Sequence, residues 1–174
     1  MDLKKQRLKM SLQEIRDAID LNKTNWVHNG DTNCYAYALG LDIVECDIIE
    51  YAYIPGVMSG SSMALHEVTL FQYNDFINNL YNDLNFLGID FREVKPNEII
   101  LPNEWKIAIY TTPCYNGCVD FHFLRLCSDG MWHHKNGYNF RPTIYDDDDK
   151  IITNIEDCNL GFKKYEKCLS LKLR

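Results

Sequence analysis

Residues 119–135 read VDFHFLRLCSDGMWHHK. Apolar, β-branched and aromatic residues dominate Val119–Cys127 and Met131–Lys135, and Ser128-Asp129-Gly130 lies between the two runs. Because glycine accepts the positive φ that tight turns need, this stretch predicts a β-hairpin. His122 lies in the middle of the first strand and shares a face with two leucines. An imidazole on such an apolar, core-facing stripe needs a polar partner.

Three helices are predicted ahead of this hairpin. Ser11-Leu12-Gln13-Glu14 has the spacing of a capping box, in which the serine and glutamate side chains satisfy free backbone N–H groups at a helix start. Further on, a polar loop precedes a run of helix formers that a glycine ends. Later still, apolar residues recur at steps of three and four. The predicted helices cover residues 12–21, Cys34–Leu39 before Gly40, and Tyr73–Leu87 before Gly88.

Strands follow the helices along the chain. Ile89–Val94 and Lys106–Thr112 are short runs rich in β-branched and aromatic residues that precede the hairpin. This order predicts an α+β fold in which N-terminal helices pack on a mostly antiparallel sheet. We expect a single domain over 1–174, with an N-terminal helix region at 1–24, an insertion with the long helix at 56–90, and the sheet at 91–174. The start of the insertion, Gly56–Ser62, is flexible by composition.

Charge and hydropathy exclude two classes of function. The 18 basic and 25 acidic residues give a formal net charge of −7, and no basic cluster could neutralise a row of phosphates. A nucleic-acid partner is therefore not expected. Apolar runs are far shorter than the roughly 20 residues that cross a bilayer, so no membrane span is expected. The N-terminus lacks the pattern of a secretion signal, which predicts a cytoplasmic location and leaves export by another route open. The oligomeric state is not predicted.

Seven cysteines are an odd number, so at least one is free if the chain is monomeric. In a reducing compartment most would be buried thiols, and we expect this of Cys46, Cys158 and Cys168. Four consecutive acids in Tyr145–Lys150 lack the ligand spacing of a calcium loop, which favours a solvated turn. Other side chains also have structural roles: Lys135 is expected to be a solvated hairpin charge, and Trp132, Tyr35 and Tyr37 are expected to pack.

Cys34 is the candidate nucleophile. A helix start favours negative charge through its free N–H groups and the helix dipole, and this lowers the pKa of a thiol placed there. The preceding loop supplies Asn33 and His28 as candidate oxyanion donors, beside the Cys34 backbone N–H. A thiol nucleophile also needs a base on another rigid element, and His122 is the obvious choice.

The group that orients this base depends on the hairpin turn. If Ser128-Asp129-Gly130 is a three-residue loop, His134 is a diagonal neighbour of His122 on the same face. If the loop is Asp129-Gly130 alone, the parity changes and His133 takes that face. The residues themselves leave both alternatives open.

A cysteine that opens a helix, a histidine on a later strand and a polar residue on the next strand together resemble the papain-like cysteine peptidases and amidases. The compact NlpC-type amidohydrolases are the most similar. The resemblance implies a papain-like fold and hydrolysis of an amide bond in a peptide or other amide substrate, with no cofactor and no metal. It implies Cys34 as nucleophile, His122 as base and His134 as orienter. Asn-Cys-Tyr-Ala-Tyr-Ala-Leu at residues 33–39 and the His-Lys pair at 134–135 also resemble a set of uncharacterised bacterial proteins, and this likeness favours His134 over His133.

Two alternatives remain beside this reading. Deamidase or transglutaminase-like acyl transfer would use the same residues. The other alternative is a non-catalytic, zinc-stabilised or thiol-rich interaction module, because zinc takes four soft ligands in a tetrahedron. Its candidate ligands are Cys114, Cys118, His122 and Cys127, with His133 or His134.

Overall fold

The computed structural model describes residues 13, 33–41, 54–61, 71–137 and 140–174. Gln13 is helical, and the rest of the helix predicted at 12–21 lies outside the described residues, as do His28 and Cys46. The elements are α1 (Cys34–Leu39), β1 (Phe71–Gln72), α2 (Tyr73–Phe86), β2 (Ile89–Val94), β3 (Glu104–Pro113), a 3₁₀ turn (Tyr115–Gly117), β4 (Cys118–Leu126), β5 (Trp132–His134) and β6 (Lys164–Leu173).

The strands form one sheet in the order β1-β4-β3-β6-β2, and β5 pairs with β4. Every strand pair in the described part of the chain is antiparallel. The predicted α+β class, with a mostly antiparallel sheet, is therefore confirmed. β6 was not predicted as a separate strand, although it lies between β3 and β2 in the sheet. Among the described residues, no helix is both long and apolar enough to cross a bilayer.

Both faces of the sheet are covered. Alternate residues of a strand point to opposite faces, and neighbours such as Ile107 and Ala108 belong to two different core clusters. The first cluster contains α1 and α2 together with Phe123 of β4. The second contains Leu124 of β4 and the C-terminal segment around Ile155. β3 is consequently buried along most of its length.

α2 belongs to the first core cluster. Phe76 stacks on Phe121 at a ring-centroid distance of 5.9 Å, and Leu80 is fully buried. The segment expected to be an insertion therefore contributes its helix to the main core. Residues 54–61, which include most of the segment expected to be flexible, form a hydrogen-bonded turn. Glycine composition predicted freedom there, but a buried carboxylate holds the turn.

That carboxylate belongs to Asp83 of α2, which is fully buried. It accepts hydrogen bonds from the backbone N–H groups of Gly56 and Ser59, both at 2.7 Å, and from the Tyr35 hydroxyl at 2.9 Å. Asp83 thus ties the turn at 54–61 to α1.

We expect Asp83→Asn to lower the free energy of unfolding by about 2 kcal/mol, because the carboxamide nitrogen would face a donor and leave a buried group unsatisfied. Denaturant unfolding followed by circular dichroism measures the change. Asp75→Asn, an exposed carboxylate in the same helix, is the matched control and should shift stability by no more than about 0.5 kcal/mol. Equal effects of the two substitutions would show that the buried network contributes little.

Two single-residue expectations need correction. Lys135 was expected to be solvated, but it is fully buried. The chain at Thr143 pairs back onto His134 and covers this end of β5. Cys158 is half-buried rather than buried, and its sulfur lies 3.5 Å from the Tyr110 hydroxyl. Other expectations fit: Cys168, Trp132, Tyr35 and Tyr37 are buried, and Tyr145–Lys150 forms a largely exposed turn.

Candidate active site

The site lies at a gap in the edge of the sheet. On its outer edge β4 pairs with β1 at Cys118 and Val119, and with β5 from Leu124 onward. Residues 120–123 of β4 pair with neither β1 nor β5 in the described part of the chain. α1 packs against both β4 and β5. The start of α1 therefore meets the middle of β4.

Cys34 is the first residue of α1, as predicted. Asn33 is the N-cap residue, and its Oδ1 accepts hydrogen bonds from the backbone N–H groups of Tyr35 and Ala36, both at 3.1 Å. The helix ends at Gly40, whose φ of 79° is in the left-handed region. The Asn33 cap and Gly40 thus bound a short helix whose first residue is Cys34.

Asn33 caps α1, and this limits which groups near it could donate a hydrogen bond to an oxyanion. Because its Oδ1 already binds the N–H groups of Tyr35 and Ala36, those two amides are not available to an oxyanion. A donor role for Asn33 would have to use Nδ2. The second expected donor, His28, lies outside the described residues.

His122 and His134 are directly hydrogen-bonded. His122 Nε2 lies 2.9 Å from His134 Nδ1, and His134 Nε2 lies 2.9 Å from the carbonyl oxygen of Tyr145. A carbonyl only accepts, so His134 Nε2 carries a proton. Neutral His134 then accepts at Nδ1, and His122 donates from Nε2. These hydrogen bonds leave a lone pair on His122 Nδ1, so this nitrogen can act as a base.

The hairpin turn explains why His134 rather than His133 is the partner. Cys127 N–H donates to the Met131 carbonyl at 2.9 Å, which closes a three-residue loop. Leu124 then pairs with His134, so His134 lies on the face of His122. His133 lies on the other face, with its Nε2 2.9 Å from Asp129 Oδ2.

Cys34 and His122 line one cavity of about 410 Å³. Cys34 is 5% exposed and His122 is 4% exposed, so both groups are nearly removed from water. α1 and β4, which about half of the chain separates, therefore both contribute to one cavity, as the sequence hypothesis requires.

The protonation state of Cys34 differs from the thiolate that its place at a helix start predicts. Burial raises the pKa of Cys34 to about 12, although the nearby backbone amides of Phe123, Tyr35 and Cys34 itself oppose the rise. Burial, followed by the proximity of His134, lowers the pKa of His122 well below its ordinary value. The expectation that the helix start would lower the Cys34 pKa is therefore wrong: desolvation outweighs it. At neutral pH the pair rests as thiol and imidazole.

This resting state predicts the pH profile of Cys34 alkylation by iodoacetamide. Below the pKa of a thiol, the thiolate fraction rises about tenfold per pH unit. Because the pKa of Cys34 is raised to about 12, its alkylation rate should keep rising between pH 7 and pH 10. Site-mapped mass spectrometry measures it, with glutathione as a free-thiol reference. A rate plateau that begins below pH 7 would instead show a preformed thiolate–imidazolium pair.

Several cavity residues were not predicted. Asp120, Asn136, Asp147 and Lys163 also line the cavity, and the Tyr145 carbonyl orients His134. Asp120 lies two residues before His122 on the same strand face, which the strand period could have indicated. Asp147 lies in the acidic turn that we interpreted only as solvated. No local pattern indicates Lys163 or a backbone carbonyl.

The candidate zinc ligands of the interaction-module alternative do not converge in the described residues. Within the described residues, no group of three or more His, Cys, Asp or Glu side chains is placed to hold a metal ion. The Cys114 sulfur donates to the Thr112 carbonyl at 3.4 Å, and the Cys127 sulfur lies 3.7 Å from the Tyr37 hydroxyl. The six cysteines in the described ranges are all free thiols.

Comparison of the chain with protein-family models, with curated proteins and with solved structures finds no match.

Proposed function

We propose that this chain is a cysteine-dependent hydrolase of papain-like arrangement that cleaves an amide bond through Cys34, His122 and His134. The observation that carries the proposal is the hydrogen-bond chain from His122 through His134 to the Tyr145 carbonyl, beside a cavity that Cys34 also lines. The tautomer that these hydrogen bonds fix leaves a lone pair on His122 Nδ1, and this supports a role for His122 as the base.

The neutral resting pair supports general-base activation. As Cys34 Sγ attacks the carbonyl carbon of the substrate, its proton passes to His122 Nδ1. The C–S bond forms, and the carbonyl π electrons move to oxygen, to which the Cys34 backbone N–H would donate a hydrogen bond. Collapse of this intermediate breaks the C–N bond, and His122 returns the proton to the departing amine.

A thioester on Cys34 remains after the amine departs. Water then attacks the thioester carbon while His122 takes its proton and a C–O bond forms. The C–S bond breaks, His122 returns the proton to Cys34 Sγ, and the carboxylic acid is released. His134 keeps the His122 imidazole ring in one orientation through both steps, because the Nε2–H of His134 donates to the Tyr145 carbonyl. Transfer of the acyl group to an amine instead of water would follow the same first half.

Trapping of the thioester tests the proposal. The protein is mixed with a panel of activated acyl esters and short N-acylated peptides, quenched in acid and examined by intact mass and peptide mapping. We expect one acyl group on the peptide that contains Cys34, removable by neutral hydroxylamine. His122→Gln should reduce this acylation strongly, whereas His133→Gln, on the opposite strand face, should leave it unchanged.

Acylation spread evenly over several cysteines, or insensitive to His122→Gln, would contradict the proposal. Such a result would mean that the thiol reacts without help from the histidine pair.

A further inference from the structure

The charges around the candidate cavity are unevenly distributed. Asp147 and Lys163 both act on the His134 end, where Asp147 raises the pKa of His134 and Lys163 lowers it. These two charges offset each other. At the Cys34 end, Asp120 acts on the thiol and raises its pKa. In the described part of the chain, the charge that acts on the Cys34 thiol is therefore that of Asp120, whereas Lys163 on the same cavity wall acts on His122 and His134.

Asp120 is available to a ligand. Its side chain is exposed, and Oδ1 is fixed by the backbone N–H of Phe121 at 2.8 Å, so the carboxylate is oriented at the cavity wall. Within the described residues, Asp120 has no ion-pair partner within 4.0 Å. Lys163, the cation on the cavity wall, donates instead to the Leu160 carbonyl at 3.2 Å.

We propose that the cavity takes amide substrates that carry a positive charge next to the scissile bond, held by Asp120. The inference rests on the proposed function and names its substrate class. A bound cation cancels the repulsion between Asp120 and the negative charge that develops on Cys34 Sγ and on the carbonyl oxygen. An anionic substrate group would add to that repulsion. The cationic substrate therefore assists the attack on its own carbonyl.

Charged thiol reagents test the electrostatics without requiring turnover. Methanethiosulfonates transfer their alkylthio group to a thiolate, forming a mixed disulfide and releasing methanesulfinate. We compare the trimethylammonium-ethyl reagent with the sulfonatoethyl reagent. The ratio of the rate with the cationic reagent to the rate with the anionic reagent should be ~10-fold higher at Cys34 than at the thiol of glutathione.

Asp120→Asn should reduce this excess several-fold, since asparagine can keep the hydrogen bond to Phe121 without the charge. The matched control is Asp90→Asn on β2, at the opposite edge of the sheet, which removes the same charge and should leave the ratio unchanged. A ratio at Cys34 equal to that at glutathione overturns the proposal.

Peptide pairs test the substrate class itself. Each pair differs only in lysine or Nε-acetyl-lysine beside the cleaved bond. The lysine member should have a kcat/KM ~10-fold higher, and Asp120→Asn should bring the pair close to equality. Equal cleavage of both members by the unmodified protein overturns the substrate class and leaves the proposed hydrolase function in place. Charge-selective labelling of Cys34 with no cleavage of any peptide overturns the hydrolase function and the substrate class with it.

Discussion

Cys34→Ala is expected to reduce amide hydrolysis at least ~10³-fold, to the background rate of the assay. The sulfur forms the covalent intermediate, and alanine offers no nucleophile to replace it. The remaining cavity and its histidine pair can still bind substrate, so binding should survive while kcat is lost. Single-turnover assays, with substrate binding measured separately, distinguish the two effects.

Cys118→Ala is the matched control for this substitution. Cys118 lies on β4, and its half-buried sulfur accepts a hydrogen bond from Gln72 Nε2 rather than lining the cavity. This variant should keep full activity. Thermal unfolding of both variants guards against a folding defect, since Cys34 is 5% exposed. Retained hydrolysis by folded Cys34→Ala would exclude it as the nucleophile.

Local patterns predicted much of the fold. A polar loop, a run of helix formers and Gly40 predicted α1, and apolar periodicity up to Gly88 predicted α2, each to within a residue at its ends. β2 has the predicted bounds, Ile89–Val94. These elements obey local rules, because a helix face and a glycine with positive φ are properties of neighbouring residues.

β6 was harder to predict. Lys164–Leu173 has buried residues on both faces, since Cys168 and Leu169 belong to different core clusters. A strand covered on both faces loses the polar–apolar alternation that identifies strands from sequence. Its place between β3 and β2 is a long-range pairing that no local pattern specifies.

Three side chains of the candidate site were identified from sequence, whereas the other cavity residues and the pKa of Cys34 were not. The order of Cys34, His122 and His134 identified residues that the structure brings to one cavity or joins by hydrogen bonds. The turn between β4 and β5 has two plausible lengths in sequence, and only the backbone hydrogen bonds distinguish them. The pKa of Cys34 was predicted with the wrong sign, because a helix start is visible in sequence and the depth of burial is not.

His134→Ala is expected to lower kcat ~10³-fold with little change in KM. His134 is a positioning residue: its Nδ1 accepts a hydrogen bond from His122 Nε2–H, which leaves the lone pair of His122 on Nδ1. Without it, the buried imidazole can rotate or take the other tautomer, and a base in the wrong tautomer costs a triad several orders of magnitude. Steady-state kinetics with a substrate that the unmodified protein cleaves measure kcat and KM separately for each variant.

His134→Asn provides the rescue that separates positioning from packing. Its carboxamide oxygen can accept from His122 Nε2–H, so this variant should recover at least ~10-fold of the activity lost in His134→Ala. His133→Ala is the matched control, because the His133 side chain bonds Asp129 on the other face, and it should stay within about threefold of the unmodified protein. If His133→Ala fell as far as His134→Ala, or if asparagine rescued nothing while the protein stayed folded, His134 would have only a structural role and the hydrogen-bond chain to Tyr145 would not govern catalysis.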